Sequence, residues 1–395
     1  MPALSRSILE TSAPPIPTVR GWAGRYAGAA PLLDLTQAVP GYPAHAELLA
    51  RLGAISASPA STGYGPIDGD VALREALAED ACGFYGAAIS PGQVAITAGC
   101  NLAFAMVMAV LAGPGARVGL PTPWYFNHAM ALSMQGATAV PIPCQAAKGF
   151  VPDPMEVEAM LPGLSALVLV SPNNPTGAAY PAAVIHALAE ACRRHGVWLV
   201  LDETYRDFLA EPRPHALFSA PDWAEHVVHL YSFSKAYCVP GHRLGAVIGG
   251  GAFRAQLLKA LDSYQICPAR PAQSALAWAV KALAEWRAGN RAIMAGRADA
   301  ARAAMAQLPD WRLDSLGTYF AYLRIPEAAP DALALAESLA VETGLLCLPG
   351  PFFGPGQERH LRLAFANAEP ARIAEIPGRL QATRSTALRA TSSSV

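Results

Sequence analysis

Charge is scarce in this sequence. Lys, Arg, Asp and Glu supply 15% of the 395 residues, and their formal balance is −1. With no basic surplus there is no electrostatic footprint for nucleic acid. The seven cysteines (Cys82, Cys100, Cys144, Cys192, Cys238, Cys267 and Cys347) are scattered, odd in number and form no CxxC pair. That pattern argues against a disulfide framework or a zinc site and for a reducing compartment. Residues 1–17 lack the apolar stretch of a secretory signal. No run reaches the roughly 18 uninterrupted apolar residues of a membrane span. There is no internal repeat. The expectation is a soluble, cytoplasmic protein.

What is present is apolar and alternating. Hydrophobic residues make up 53% of the chain, and a chain of this length is expected to divide into two domains. Short β-branched runs at 94–97, 117–120, 166–170, 197–201, 227–231 and 245–248 read as buried strands. The segments 101–111, 181–195 and 253–261 between them carry helical apolar spacing. Strands that are continuously apolar, alternating with helices, predict an α/β fold whose mostly parallel sheet is covered on both faces. After about Pro271 the texture becomes Ala/Arg-rich and helical, with few strands before Leu345-Leu346-Cys347-Leu348. The expected division is a large domain at 44–280 and a smaller α+β domain built from both termini, 1–43 and 281–384. The Ser/Thr-rich stretch 385–395 is expected to be disordered.

The chemistry clusters after the strands. Lys235 follows the apolar run 227–230 within Tyr231-Ser232-Phe233-Ser234-Lys235. Burial lowers the pKa of an amine, and a neutral amine attacks an aldehyde. Arg243 and Ser232 supply a guanidinium and a hydroxyl suited to a phosphate. Aldehyde plus phosphate describes pyridoxal 5'-phosphate. Asp202, in Leu201-Asp202-Glu203-Thr204-Tyr205, is either a helix cap or a carboxylate that keeps a pyridine nitrogen protonated. Tyr205 and the Asn174 amide of Ser171-Pro172-Asn173-Asn174-Pro175-Thr176-Gly177 could both donate to the ring's phenolate oxygen, although such a Pro/Asn/Gly segment is also an ordinary turn. Thr97-Ala98-Gly99-Cys100-Asn101 opens a helix whose free amides at Cys100 and Asn101 suit a phosphate. Of the aromatics in Trp124-Tyr125-Phe126, Tyr125 is favoured for stacking on a ring. Arg362 stands inside the apolar strand 360–365 and should have an anionic partner, either a structural carboxylate or a substrate's. Gly249-Gly250-Gly251 lacks the G-x-G-x-x-G spacing of a dinucleotide site and reads as a connection.

Taken together, SPNNPTG, DETY and SFSK with its downstream GHRLG resemble the class I/II aminotransferases of the aspartate aminotransferase superfamily. These are fold-type I enzymes that use pyridoxal 5'-phosphate, and the resemblance runs from about Tyr64 to Phe365. It implies that Lys235 is the Schiff-base lysine, that Asp202 pairs with the ring nitrogen, and that Asn174 and Tyr205 contact the phenolate oxygen. Ser232, Arg243 and the Cys100 and Asn101 amides would hold the phosphate, and Arg362 would bind the substrate α-carboxylate. Tyr64 is similar to the tyrosine that reaches the phosphate of a neighbouring subunit, so the resemblance implies a homodimer with shared active sites. Ala38 marks a departure. It stands in Gln37-Ala38-Val39 where the family often has a substrate-contacting glycine, which puts the pocket's shape in question.

The expected reaction is amino-group transfer between an L-amino acid and a 2-oxo acid. A lyase, decarboxylase or oxidase on the same fold is the alternative, and a non-catalytic cofactor sensor is the alternative of a different class. A second carboxylate on the substrate would need another cation. Arg20, Arg25 and Arg270 are candidates, none in a recognisable motif. Tyr42, Trp124, Tyr125 and Phe126 favour a neutral or aromatic donor instead, with 2-oxoglutarate or pyruvate as acceptor.

Overall fold

The computed structural model describes residues 2–210 and 213–383, so the expectation for 385–395 lies outside the described residues. From the N-terminus the strands are β1 (Leu33–Asp34), β2 (Val94–Thr97), β3 (Arg117–Thr122), β4 (Thr138–Pro143), β5 (Ala166–Val170), β6 (Trp198–Asp202), β7 (Val227–Ser232) and β8 (Gly245–Ile248). They continue with β9 (Arg312–Gly317), β10 (Phe320–Arg324), β11 (Leu345–Leu346), β12 (Leu348–Pro349) and β13 (His360–Ala364). Strands β2 to β8 form one sheet in the order β2-β8-β7-β6-β5-β3-β4, parallel throughout except for β8. This is the α/β fold that the strand–helix alternation predicts.

Successive side chains of a strand point to opposite faces, so a continuously apolar strand feeds two cores. In β5, Leu167 and Leu169 join Leu199, Leu201 and Tyr231 on one face, against the helices Val71–Tyr85, Ala182–His195 and Arg270–Ala282. Ala166 and Val168 join Val200, Val228 and Val247 on the other, against the helices Cys100–Leu111 and Gly251–Gln265. The register then aligns the strand ends. Val170 pairs with Asp202, and Ser232 and Thr97 both pair with Gly245. The loops that follow β2, β5, β6 and β7 therefore leave the same rim of the sheet, where α/β ligands bind.

A second, antiparallel sheet runs β12-β13-β10-β9. Leu361, Leu363, Ala321 and Leu323 turn to its own core, with Ala301 and Ala304 of the helix Ala284–Met305 and with Leu335 and Ala336. The arm enters this core too, because β1 pairs in parallel with β11 and brings in its Leu33 and the following Leu35. The Ala/Arg-rich texture after Pro271 predicts few strands, yet β9 and β10 form there around the apolar Phe320-Ala321-Tyr322-Leu323. Leu345 to Leu348 reads as one run, but it splits at Cys347 into β11 and β12, which pair with different partners.

Candidate active site

Beyond the rim lies a cavity of about 300 Å³. Lys235, Asp202, Tyr205, Asn174 and Arg362 line it, as do Cys100, Asn101, Tyr125, Ser232, Arg243 and Ala38. They come from several strand ends, one helix start, the arm and β13, and only the tertiary fold brings these together. Tyr64 does not line it. That side chain is 82% exposed, beside Gly65, whose amide donates to the Cys267 thiol.

Lys235 sits in a four-residue helix, Phe233–Ala236, capped by the Ser232 side chain. Burial, then the positive Arg362 and Arg243, bring its pKa down to about 8. Its amine donates to the Ala38 carbonyl, so the arm itself touches the lysine.

Asp202 ends β6 and is buried. Its Oδ1 accepts from the Thr204 amide (3.0 Å) and hydroxyl (2.7 Å), and His128 Nε2 lies 3.3 Å from Oδ2. Burial alone would raise this acid, but the His128 and Thr204 contacts outweigh it and the net shift is downward. The carboxylate is thus kept ionised at the bottom of the cavity. His128 belongs to the aromatic segment after β3 and is stacked on Phe104 at 3.9 Å. Its contact with Asp202 has no sequence signal, since the two lie 74 positions apart and meet only across the sheet.

Glu203, the next residue, turns to the opposite face. There it is buried and accepts from Tyr85, with His229 and His215 nitrogens at 3.1 and 3.3 Å. Arg206 is buried among Phe84, Tyr85 and Tyr231, paired with Asp80. These contacts pin the segment that carries Asp202 and Tyr205 from behind. Tyr205 itself packs against Tyr319 and Phe320, at 5.1 and 5.4 Å between ring centroids.

The helix Cys100–Leu111 opens at Gly99, whose φ of +91° favours glycine. A Cβ there would run into the Arg243 guanidinium, and one at Gly245 into the Cys100 backbone. Two glycines thus let a helix N-terminus and a guanidinium close on one another, a ready anion site. Arg243 is held with a φ of +52°, a left-handed conformation uncommon for a non-glycine residue.

Arg362 lies on β13 between Leu361 and Leu363 but points away from their core, which is how an apolar strand tolerates it. Its guanidinium lies against the rings of Phe320 and Phe353, 5.1 and 5.2 Å from their centroids. Its partners are neutral: Nη1 donates to Asn174 Oδ1 at 3.0 Å, and Nη2 to the Thr36 carbonyl. No carboxylate of the chain is recorded beside it among the described residues, and its Nε is buried without a partner. Its positive charge is open to a carboxylate from outside.

Of the aromatics after β3, Tyr125 and Phe126 line the cavity and Trp124 does not. Tyr42 does not line it either, and its ring is edge-on to Trp286. Ile16, Thr36, Gln37, Asn127 and Ser234 also line the cavity. The arm's sequence carries no motif that would single out its share of these residues. Among the described residues no side chains group as a metal site, and no helix is long and apolar enough to cross a membrane.

The description "Aminotransferase class I and II" matches residues 30–380. The chain is 32% identical over 321 residues to an arginine–pyruvate transaminase of Pseudomonas aeruginosa, covering 80% of this chain and 81% of that one. It is 30% identical over 353 residues to an aspartate/prephenate aminotransferase of Thermus thermophilus, covering 86% and 87%. Among solved structures, the aspartate aminotransferase of Thermus thermophilus with maleate superposes with a TM-score of 0.88 at 26% identity, covering 97% and 100%. With a lysine, a buried carboxylate and an open arginine around one cavity, and relatives of this kind along most of its length, the chain belongs to the class I and II aminotransferases, enzymes that depend on pyridoxal phosphate.

Proposed function

We propose that this aminotransferase holds pyridoxal 5'-phosphate in the cavity under β5, β6 and β7 and works there on an L-amino acid and a 2-oxo acid. The observation that carries the reading is the pairing, in one cavity, of a half-buried lysine brought down to about 8 with a buried carboxylate kept ionised by His128 and Thr204. One group can bond an aldehyde, and the other can keep a pyridine nitrogen protonated.

The remaining residues fit the same ligand. The Cys100 and Asn101 amides, Ser232 and Arg243 would hold the phosphate. The Asn174 amide and the Tyr205 hydroxyl would face the phenolate oxygen, and Tyr125 a ring face. The Arg362 guanidinium binds the α-carboxylate and fixes the substrate against Ala38 and Asn174. Lys235 takes the α-proton and returns it, while Asp202 holds the proton on the ring nitrogen. When bound, the cofactor supplies the electron sink for the bond broken at the α-carbon.

The proposal extends to a cytoplasmic homodimer in which the exposed Tyr64 reaches the partner's phosphate. It also takes residues 44–280 as the cofactor domain, with 1–43 and 281–384 as the smaller one. Purified protein should absorb in the visible, and borohydride should bleach it and leave the label on Lys235. Lys235→Ala should abolish turnover. An amino acid should convert the bound cofactor to its aminated form, and ammonia released without that form would favour a lyase. Label on any other lysine would overturn the reading.

A further inference from the structure

Resting on that reading, we infer that the amino donor carries a neutral, apolar side chain, selected by a wall that runs from Arg362 through Phe353 and Phe126 to Ile16. The carboxylate anchor fixes where this wall begins. The Arg362 guanidinium lies 5.2 Å from the Phe353 ring centroid, and Phe353 meets Phe126 at 5.9 Å. Phe126 and Phe353 belong to one apolar cluster, and Ile16, from the helix Pro15–Ala23 of the arm, packs on it. Phe126 and Ile16 both line the cavity. A substrate held at Arg362 thus has hydrocarbon, not charge, beside its carboxylate.

The charges point the same way. The charged residues that line the cavity are Asp202, Lys235, Arg243 and Arg362, and the proposed chemistry uses all four. The other lining groups near the arm, Thr36, Gln37 and Asn127, are neutral. None of the three arginines that could serve a second carboxylate lines this chain's cavity. Arg20 pairs with Asp34 at 3.1 Å and donates to Gln37. Arg25 pairs with Glu337. Arg270 reaches Asp70 at 3.4 Å and the Ala60 carbonyl at 3.1 Å. Within this chain's share of the site, a second carboxylate would lose its water with no cation to meet it, which is costly. A branched aliphatic or aromatic side chain loses nothing by the same transfer and gains from burial.

The test uses unreactive acids on the cofactor-loaded enzyme, read by calorimetry, so it does not depend on turnover. 4-Methylpentanoate and 3-phenylpropanoate should bind at least tenfold more tightly than succinate and glutarate. Ile16→Lys, checked for native circular dichroism, should shift that ratio at least tenfold toward the dicarboxylates, while Ile16→Val should keep the order. Succinate or glutarate binding as tightly as the neutral acids would overturn the inference, whether the cation came from this chain or a second copy. So would an Ile16→Lys ratio that does not move. An enzyme with the expected preference that transfers no amino group from any donor would keep this pocket and lose the transamination reading. One that transaminates but prefers succinate would do the reverse.

Discussion

Asn174 accepts a hydrogen bond from Arg362 at 3.0 Å, joining the turn after β5 to β13 of the other sheet. The bond uses the amide's oxygen and leaves its NH2 free to donate into the cavity, so one residue orients both the carboxylate anchor and a cofactor contact. Asn174→Asp would place a carboxylate against the guanidinium and compete with the substrate. We expect KM for the amino donor to rise at least tenfold, about 1.4 kcal/mol. Steady-state kinetics with donor varied at saturating acceptor would check this, and an unchanged KM would show that Arg362 is not the anchor.

The Lys235 amine gives a pH dependence of definite sign. Burial and two like charges disfavour its ammonium form, so its pKa falls to about 8. The neutral fraction should then climb roughly tenfold between pH 7 and pH 9 and level off above, whereas an ordinary lysine near 10.4 would still be under about 1% neutral at pH 8. Cofactor-free protein given pyridoxal phosphate and quenched with borohydride should follow that curve at Lys235. A labelling rate that keeps rising beyond pH 10 would contradict the burial argument.

Much of this site was legible in the sequence because its parts follow strands. Asp202, Lys235 and Asn174 lie just past apolar runs, and a parallel register brings such ends to one rim. What could not be read depends on long-range packing. His128 looks like one more residue of an aromatic segment until the sheet sets it 3.3 Å from Asp202. Gln37 follows the two-residue pairing of β1 with β11, too short to announce itself in either segment, and Ile16 reaches the cavity because its own helix packs on the cluster of Phe126 and Phe353. Strand β4 was hidden by Pro141 and Pro143, which an edge strand tolerates and a central one does not.

His128 tests how the ring-nitrogen partner is kept ionised. Its contact helps hold the Asp202 pKa below its ordinary value, against burial. His128→Phe keeps a ring on Phe104 and removes the nitrogen. Asp202 would then titrate at higher pH, and the acid limb of the kcat profile should move up with it. A hydrogen bond to a charged group is worth about 1.5–3 kcal/mol, so kcat should fall about 10- to 100-fold. An acid limb that stays in place would mean that Thr204 alone suffices.

Gly177 and Gly317 carry the last prediction. Gly177 closes the Asn174 turn, Gly317 ends β9, and a Cβ on either would overlap the other's backbone carbonyl. Tyr319 and Phe320 follow Gly317 after Thr318, and they pack on Tyr205 and Arg362. This bare backbone contact therefore sets the distance between the two sheets' shares of the site. Gly317→Ala should cost about 1–3 kcal/mol, as overpacking does, and should raise the donor KM by disturbing the Asn174–Arg362 bond. Gly289→Ala is the control. It lies within the helix Ala284–Met305 with open space around its Cβ position, and should stabilise by up to about 1 kcal/mol. Urea unfolding of both variants, with donor KM measured alongside, decides the matter. A Gly317→Ala protein with wild-type midpoint and KM would show that the two sheets can shift apart freely, and that this contact does not set the site's geometry.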